Sequence, residues 1–152
     1  DPTCEDTYCL DGNFGLVRRL AAGTKKTEPH HNKKLFLQDD ETSTFIDNYC
    51  DKDKHTQNCS DFQAGDKVRS KSKNKKLDVK GIFGCCCRHE FPKLFMDLKH
   101  GERLGYPVFL LKKLLEQNSN TNVKVFYDIA CRLEDHLRVS YAVNKPIFLY
   151  YS

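Results

Sequence analysis

No stretch of this 152-residue sequence approaches the ~18 consecutive apolar residues that a membrane-spanning helix needs, so no membrane association is expected. The opening residues, DPTCEDTYCL, contain no initiator methionine, no basic region and no apolar signal core. The chain therefore reads as a piece excised from something longer. There is no internal repeat, no P-loop and no dinucleotide fingerprint. Cys87 or Cys131 could pair with His136 as nucleophile and base, but nothing marks an oxyanion hole or a third positioning group, which argues against thiol catalysis. What is present is 39% hydrophobic and 30% charged residues, the balance of one soluble domain with a real core.

The net charge of +4 says little, but its distribution says more. KVRSKSKNKKLDVK, Lys67 to Lys80, carries seven basic residues against one Asp. Lys67, Arg69, Lys71, Lys73, Lys75 and Lys76 could track a phosphate backbone. A solvated loop has the same composition.

Eight cysteines are an even number, which invites a secreted disulfide framework. Two features oppose it. Cys85, Cys86 and Cys87 are consecutive, and their side chains diverge along the chain. The long apolar helix and lysine-rich loop also differ from a small stapled scaffold. Reduced thiols, some of them binding metal, are the better expectation.

TYCLDGNFGLVRRL reads as two short strands with a turn near Asp11-Gly12-Asn13. Ala22 to Lys76 is polar and poor in apolar anchors, and reads as a long insertion or loop region tied down in part by Cys50 and Cys59. A strand is expected around Val79 to Cys87, after which Pro92 breaks regular structure or starts a helix. GERLGYPVFLLKKLLEQNSN holds the clearest helix, with Pro107 in its first turn and Val108, Leu111 and Leu115 on an apolar stripe with Leu110 and Leu114. A strand over Val123 to Ala130 leads into a helix, with Leu133 and Leu137 on the side of Cys131. Pro146 to Tyr150 closes the chain as a further strand. This is a mixed α/β layout of one domain over residues 1–152, with helices packed on a sheet.

Two acids stand near the carboxyl ends of short apolar strands. Asp11 also suits a turn, and Asp128 also suits a helix N-cap. If the two strands are neighbours, both carboxylates converge on one sheet edge and form a hard-oxygen site for Mg²⁺ or Mn²⁺. Such ions promote phosphodiester cleavage. Separately, Cys59, the Cys87-x-His89 pair and Cys131 could make a Cys₃His zinc site, with Cys85 and Cys86 as further donors. Buried free cysteines are the alternative. His30-His31 reads as an exposed loop.

The blocks CLDGNFGLVRRL, NCSDFQAGDKVRSKSKNKKLDVKGIFGCCCRHEFPKLFMDLKHGERLGYPVFLLKKLLE and VKVFYDIACRLEDHL together resemble the Kyakuja–Dileera–Zisupton transposases. The resemblance runs from about Tyr8 to Leu137. Its most specific parts are Asp11-Gly12-Asn13-Phe14, Cys87 to Glu90, Gly101-Glu102-Arg103 and Tyr127 to Cys131. It implies a ribonuclease-H-like mixed sheet with flanking helices and a cysteine-rich, metal-binding insertion. It implies that Asp11 and Asp128 are the first two acids of a DDE-type nuclease and strand-transfer site, on the first and fourth strands. DNA as partner, a nuclear setting and an oligomeric transposition complex go with that resemblance.

The family's third acid is expected farther downstream on a later helix. Glu134 follows Asp128 too closely for that role, and the tail YAVNKPIFLYYS departs from the family pattern, so the core reads as incomplete at its C-terminus. Two functions from different classes follow. One is a metal-dependent transposase core fragment. The other is a non-catalytic, zinc-stabilised module, derived from a transposase, that binds nucleic acid or protein.

Overall fold

The computed structural model describes residues 7–22, 35–50, 76–100, 103–117, 123–140 and 147–150. Its strands are β1 (Thr7–Asn13), β2 (Arg18–Arg19), β3 (Leu77–Val79), β4 (Ile82–Cys87), β5 (Pro92–Asp97), β6 (Val123–Phe126) and β7 (Ile147–Tyr150). Its helices are α1 (Asp39–Cys50), α2 (Gly105–Gln117) and α3 (Ala130–Ser140). Five strands form one sheet in the order β5-β4-β1-β6-β7, and β2 and β3 form a small second sheet. β5, β4 and β1 are mutually antiparallel, whereas β6 and β7 continue the sheet parallel to β1. The mixed α/β expectation holds.

Alternation along the strands assigns the two sheet faces. Tyr8 and Leu10 of β1, Phe83 and Cys85 of β4, Leu94 and Met96 of β5, and Val123 and Val125 of β6 are buried in one cluster. The same cluster takes Ile46 and Tyr49 from α1, Phe109, Leu110 and Leu114 from α2, and Ala130, Leu133 and Leu137 from α3. The three described helices therefore cover one face. The opposite face presents Cys9, Asp11, Cys86, Lys124 and Phe126.

α2 forms where its apolar stripe predicts it, and it is buried almost all round from Gly105 to Leu111. α1 was not legible as a helix, since it lies inside the stretch that reads as a loop. Three acids in its first turn, Asp39, Asp40 and Glu41, complement the helix dipole. Its few apolar residues are well used: the Phe45 ring meets Phe109 of α2 at 4.8 Å, and Ile46 is fully buried.

Four other expectations change. Asp11-Gly12-Asn13 is not a hairpin turn: β1 runs through it, and the turn follows at Phe14-Gly15, where the Gly15 N–H donates to Asn13 Oδ1 at 2.9 Å. β2 pairs with β3 and not with β1. Pro92 starts β5, an edge strand, where a missing N–H costs no ladder bond. The expected strand from Val79 to Cys87 is interrupted at Lys80-Gly81. A Cβ on Gly81 would stand 2.8 Å from the Asn13 carbonyl oxygen, so the chain passes there only without a side chain.

Arg18 fastens the corner between these elements. Its guanidinium reaches Asp78 of β3 and Asp97 of β5, each at 2.8 Å, and Asp39 of α1 at 3.8 Å. Among the described residues, no helix is long and apolar enough to cross a membrane.

Candidate metal and nucleic-acid site

β1 is the centre of the sheet, and β6 lies parallel beside it. Thr7 pairs with Lys124, Tyr8 with Val125 and Cys9 with Phe126. Asp11 lies two residues beyond Cys9, and Asp128 two residues beyond Phe126. β1 continues through Asp11, whereas β6 ends at Phe126 and Asp128 stands in the turn that follows it, so both acids lie toward the same end of the sheet. Both also fall on the uncovered face, because Tyr127 and Leu10 turn into the core while Asp11 and Asp128 are exposed.

Neither acid serves the structural role that its local sequence suggests. Asp128 is not the N-cap of α3. The Ile129 carbonyl accepts the first helical bond, from Leu133 at 3.2 Å, and Asp128 Oδ1 accepts only from the adjacent Ile129 N–H, at 2.8 Å. Asp11 Oδ1 likewise accepts from the adjacent Gly12 N–H at 2.7 Å. Among the described residues neither carboxylate is ion-paired, and each keeps its Oδ2 for another partner. Two exposed hard-oxygen donors of this kind fit a divalent cation that retains several waters.

The neighbourhood of Asp11 is shaped by Gly84, its cross-strand partner. A Cβ there would collide with the Phe95 ring, which lies over Gly84. Asp97 reaches the same end of the sheet, since it pairs with Ile82 and Ile82 with Asn13. Arg18 already holds its carboxylate. Burial raises the Asp97 pKa against the pull of Arg18. Among the described residues, no group of three His, Cys, Asp or Glu side chains is arranged to hold a metal ion.

The candidate zinc ligands divide between the two ends of the sheet. Cys87 pairs with Tyr8 near the start of β1, and His89 follows it in the turn to β5. That turn is closed by Cys87 N–H donating to the Phe91 carbonyl at 2.9 Å, with Glu90 in the left-handed region at φ 63°. Cys131 lies in the first turn of α3, at the end where β6 delivers Asp128. Three strand residues, roughly 10 Å, already separate the levels of Tyr8 and Asp11. Cys131 is exposed, off the buried side formed by Ala130, Leu133 and Leu137, which corrects its expected placement beside the two leucines. Cys59 lies outside the described residues.

The cysteines also differ in chemistry. Burial pushes the Cys85 thiol up to about 11, as suits a core residue. The Cys87 thiol is held below its ordinary value, first by the His89 backbone N–H and further by that of Phe91.

Lys67, Arg69, Lys71, Lys73 and Lys75 lie outside the described residues. Lys76 is exposed, and its carbonyl accepts from the Leu20 N–H at 2.8 Å. It leads into β3 and then to Gly81, which packs against Asn13 and Phe14 just past Asp11. Lys76 thus leads into the strand that ends beside the Asp11 end of β1.

With this geometry in place, comparison decides the family. The model of the Kyakuja-Dileera-Zisupton transposases matches residues 5–148. The chain belongs to the KDZ transposase family. The match continues past Leu137, so the tail that seems to depart from the family pattern falls within it as far as residue 148. No curated protein and no solved structure matches the chain.

Proposed function

We propose that this KDZ chain forms the core of a DNA transposase, in which Asp11 and Asp128 together hold a catalytic divalent cation. The observation that carries this reading is that β1 and β6 are parallel neighbours, so that both exposed acids lie toward the same end of the sheet. The sheet order supports a ribonuclease-H-like core: the first acid lies on the central strand, and the second follows the fourth strand of the five-stranded sheet in chain order.

Bound Mg²⁺ or Mn²⁺ would supply Lewis-acid activation of the attacking and leaving oxygens in phosphodiester cleavage and strand transfer. The chain's own part is to present two carboxylates from a rigid sheet edge. The segment from Lys67 to Lys76 would neutralise DNA phosphates. The reading takes DNA as partner, in the nucleus and within an oligomeric complex. A third acid would complete the site from outside the described residues. Zinc, if bound, would take Cys87 and His89 with further donors that also lie outside the described residues.

The test is nicking of supercoiled DNA in Mg²⁺ or Mn²⁺, run beside Mn²⁺ binding followed by electron paramagnetic resonance. Asp11→Asn and Asp128→Asn should each lower nicking by about a hundredfold or more and weaken Mn²⁺ binding. Unchanged nicking in both variants would refute the assignment. Strongly salt-dependent DNA binding, with no cleavage in any divalent metal, would favour the zinc-stabilised binding module instead.

A further inference from the structure

Cys9 and Cys86 stand directly opposite each other on antiparallel β1 and β4, on the sheet face that none of the described helices covers. Their side chains are hydrogen-bonded to each other. Cys9 is exposed and Cys86 half-buried, so one sulfur is open to small molecules and the other is held beside it. Opposed residues of an antiparallel pair have Cα atoms about 4.5 or 5.5 Å apart, depending on the bonding pattern. Both values lie within the roughly 4.4–6.8 Å span of disulfides. Cβ separations of about 4.5–5.5 Å need only a small approach to close the bond.

Competing pairings are disfavoured by the same strand geometry. Cys85 and Cys87 alternate to the covered face and are buried there. Among the described residues, no third His, Cys, Asp or Glu joins Cys9 and Cys86 to make a metal-binding group. A structural zinc site takes four ligands, so two sulfurs alone suit a bond to each other better.

We propose that Cys9 and Cys86 are a disulfide-forming site, oxidised reversibly by exchange with a small-molecule disulfide such as oxidised glutathione. The Cys9 thiolate, its proton passed to solvent, attacks one glutathione sulfur. A mixed disulfide forms, and one glutathione thiolate leaves and is protonated. The Cys86 thiolate then attacks the Cys9 sulfur and expels the second glutathione in the same way. Two protein thiols lose two electrons in total, and one glutathione disulfide becomes two thiols. The new bond ties β1 to β4 two residues before Asp11. It is independent of the metal-dependent reading and stands or falls without it.

The experiment is treatment of the folded, fully reduced protein with oxidised glutathione, followed by non-reducing peptide mapping with fragmentation that separates Cys85, Cys86 and Cys87. The expected product joins Cys9 to Cys86, loses two hydrogens from the intact mass and reverts with dithiothreitol. Cys86→Ser should stop at a single glutathione on Cys9. Linkage of Cys86 to a neighbouring cysteine, a persistent glutathione adduct on wild-type Cys9, or a Cys9–Cys86 bond that forms only in urea would each overturn the proposal.

Discussion

The two ends of the central sheet carry different chemistry. At the end where β1 and β6 finish, Asp11 and Asp128 offer exposed oxygen donors and no cation among the described residues occupies them. At the end where β1 begins, Cys87 and His89 offer sulfur and imidazole, with backbone N–H groups turned toward the Cys87 thiol. Hard and soft donors are thus held apart by the length of a strand. Cys131 falls at the oxygen end although its chemistry matches the other.

The sharpest way to break this comparison is at the oxygen end. Asp11→Asn or Asp128→Asn should lower metal-dependent nicking by about a hundredfold or more, since even supporting residues around a metal commonly cost ten- to a hundredfold. Zinc content and thermal midpoint should stay as in the wild type. At the soft end the pattern should reverse. Cys87→Ser should lower zinc per chain, read by metal analysis of the purified protein, and lower stability with it. Cys131→Ser should leave zinc unchanged. Equal zinc loss in both variants would show that the two ends share a site.

Two substitutions probe the packing that sets the ends in place. Leu133 is fully buried where α3 leaves Asp128, and Leu133→Ala should cost about 2–5 kcal/mol in urea unfolding. Gly84→Ala should cost less, about 1–3 kcal/mol, because the Phe95 ring must move from the space beside Asp11. Its effect on nicking, relative to its effect on stability, measures how closely Asp11 depends on that neighbour.

How much of this was legible depended on whether the signal was periodic. α2 and the β6–α3 unit announce themselves through Val108, Leu111, Val123, Val125 and Leu133, whose spacing matches their burial. α1 did not, because Phe45, Ile46 and Tyr49 are few among polar residues and gain their meaning from α2. β5 was hidden by Pro92, whose effect depends on lying at a sheet edge, which local sequence does not reveal. Asp11-Gly12 has turn chemistry, yet pairing on both sides of β1 overrides it. The acids were legible as a pair only under the condition that their strands are neighbours, and that is a property of the topology. The separation of Cys131 from Cys87 and His89 needed the sheet direction as well.

The parallel register of β1 and β6 also sets rules for how such a chain can change length. Insertions in the connections between strands leave the pair of acids untouched, since each is placed by its own strand. A single residue added or lost between Thr7 and Asp11, or between Val123 and Asp128, would turn one carboxylate toward the core while the other stayed in solvent. Drift in length should therefore be tolerated in the connections, whereas an odd step within β1 or β6, as within β4 or β5, turns buried residues outward.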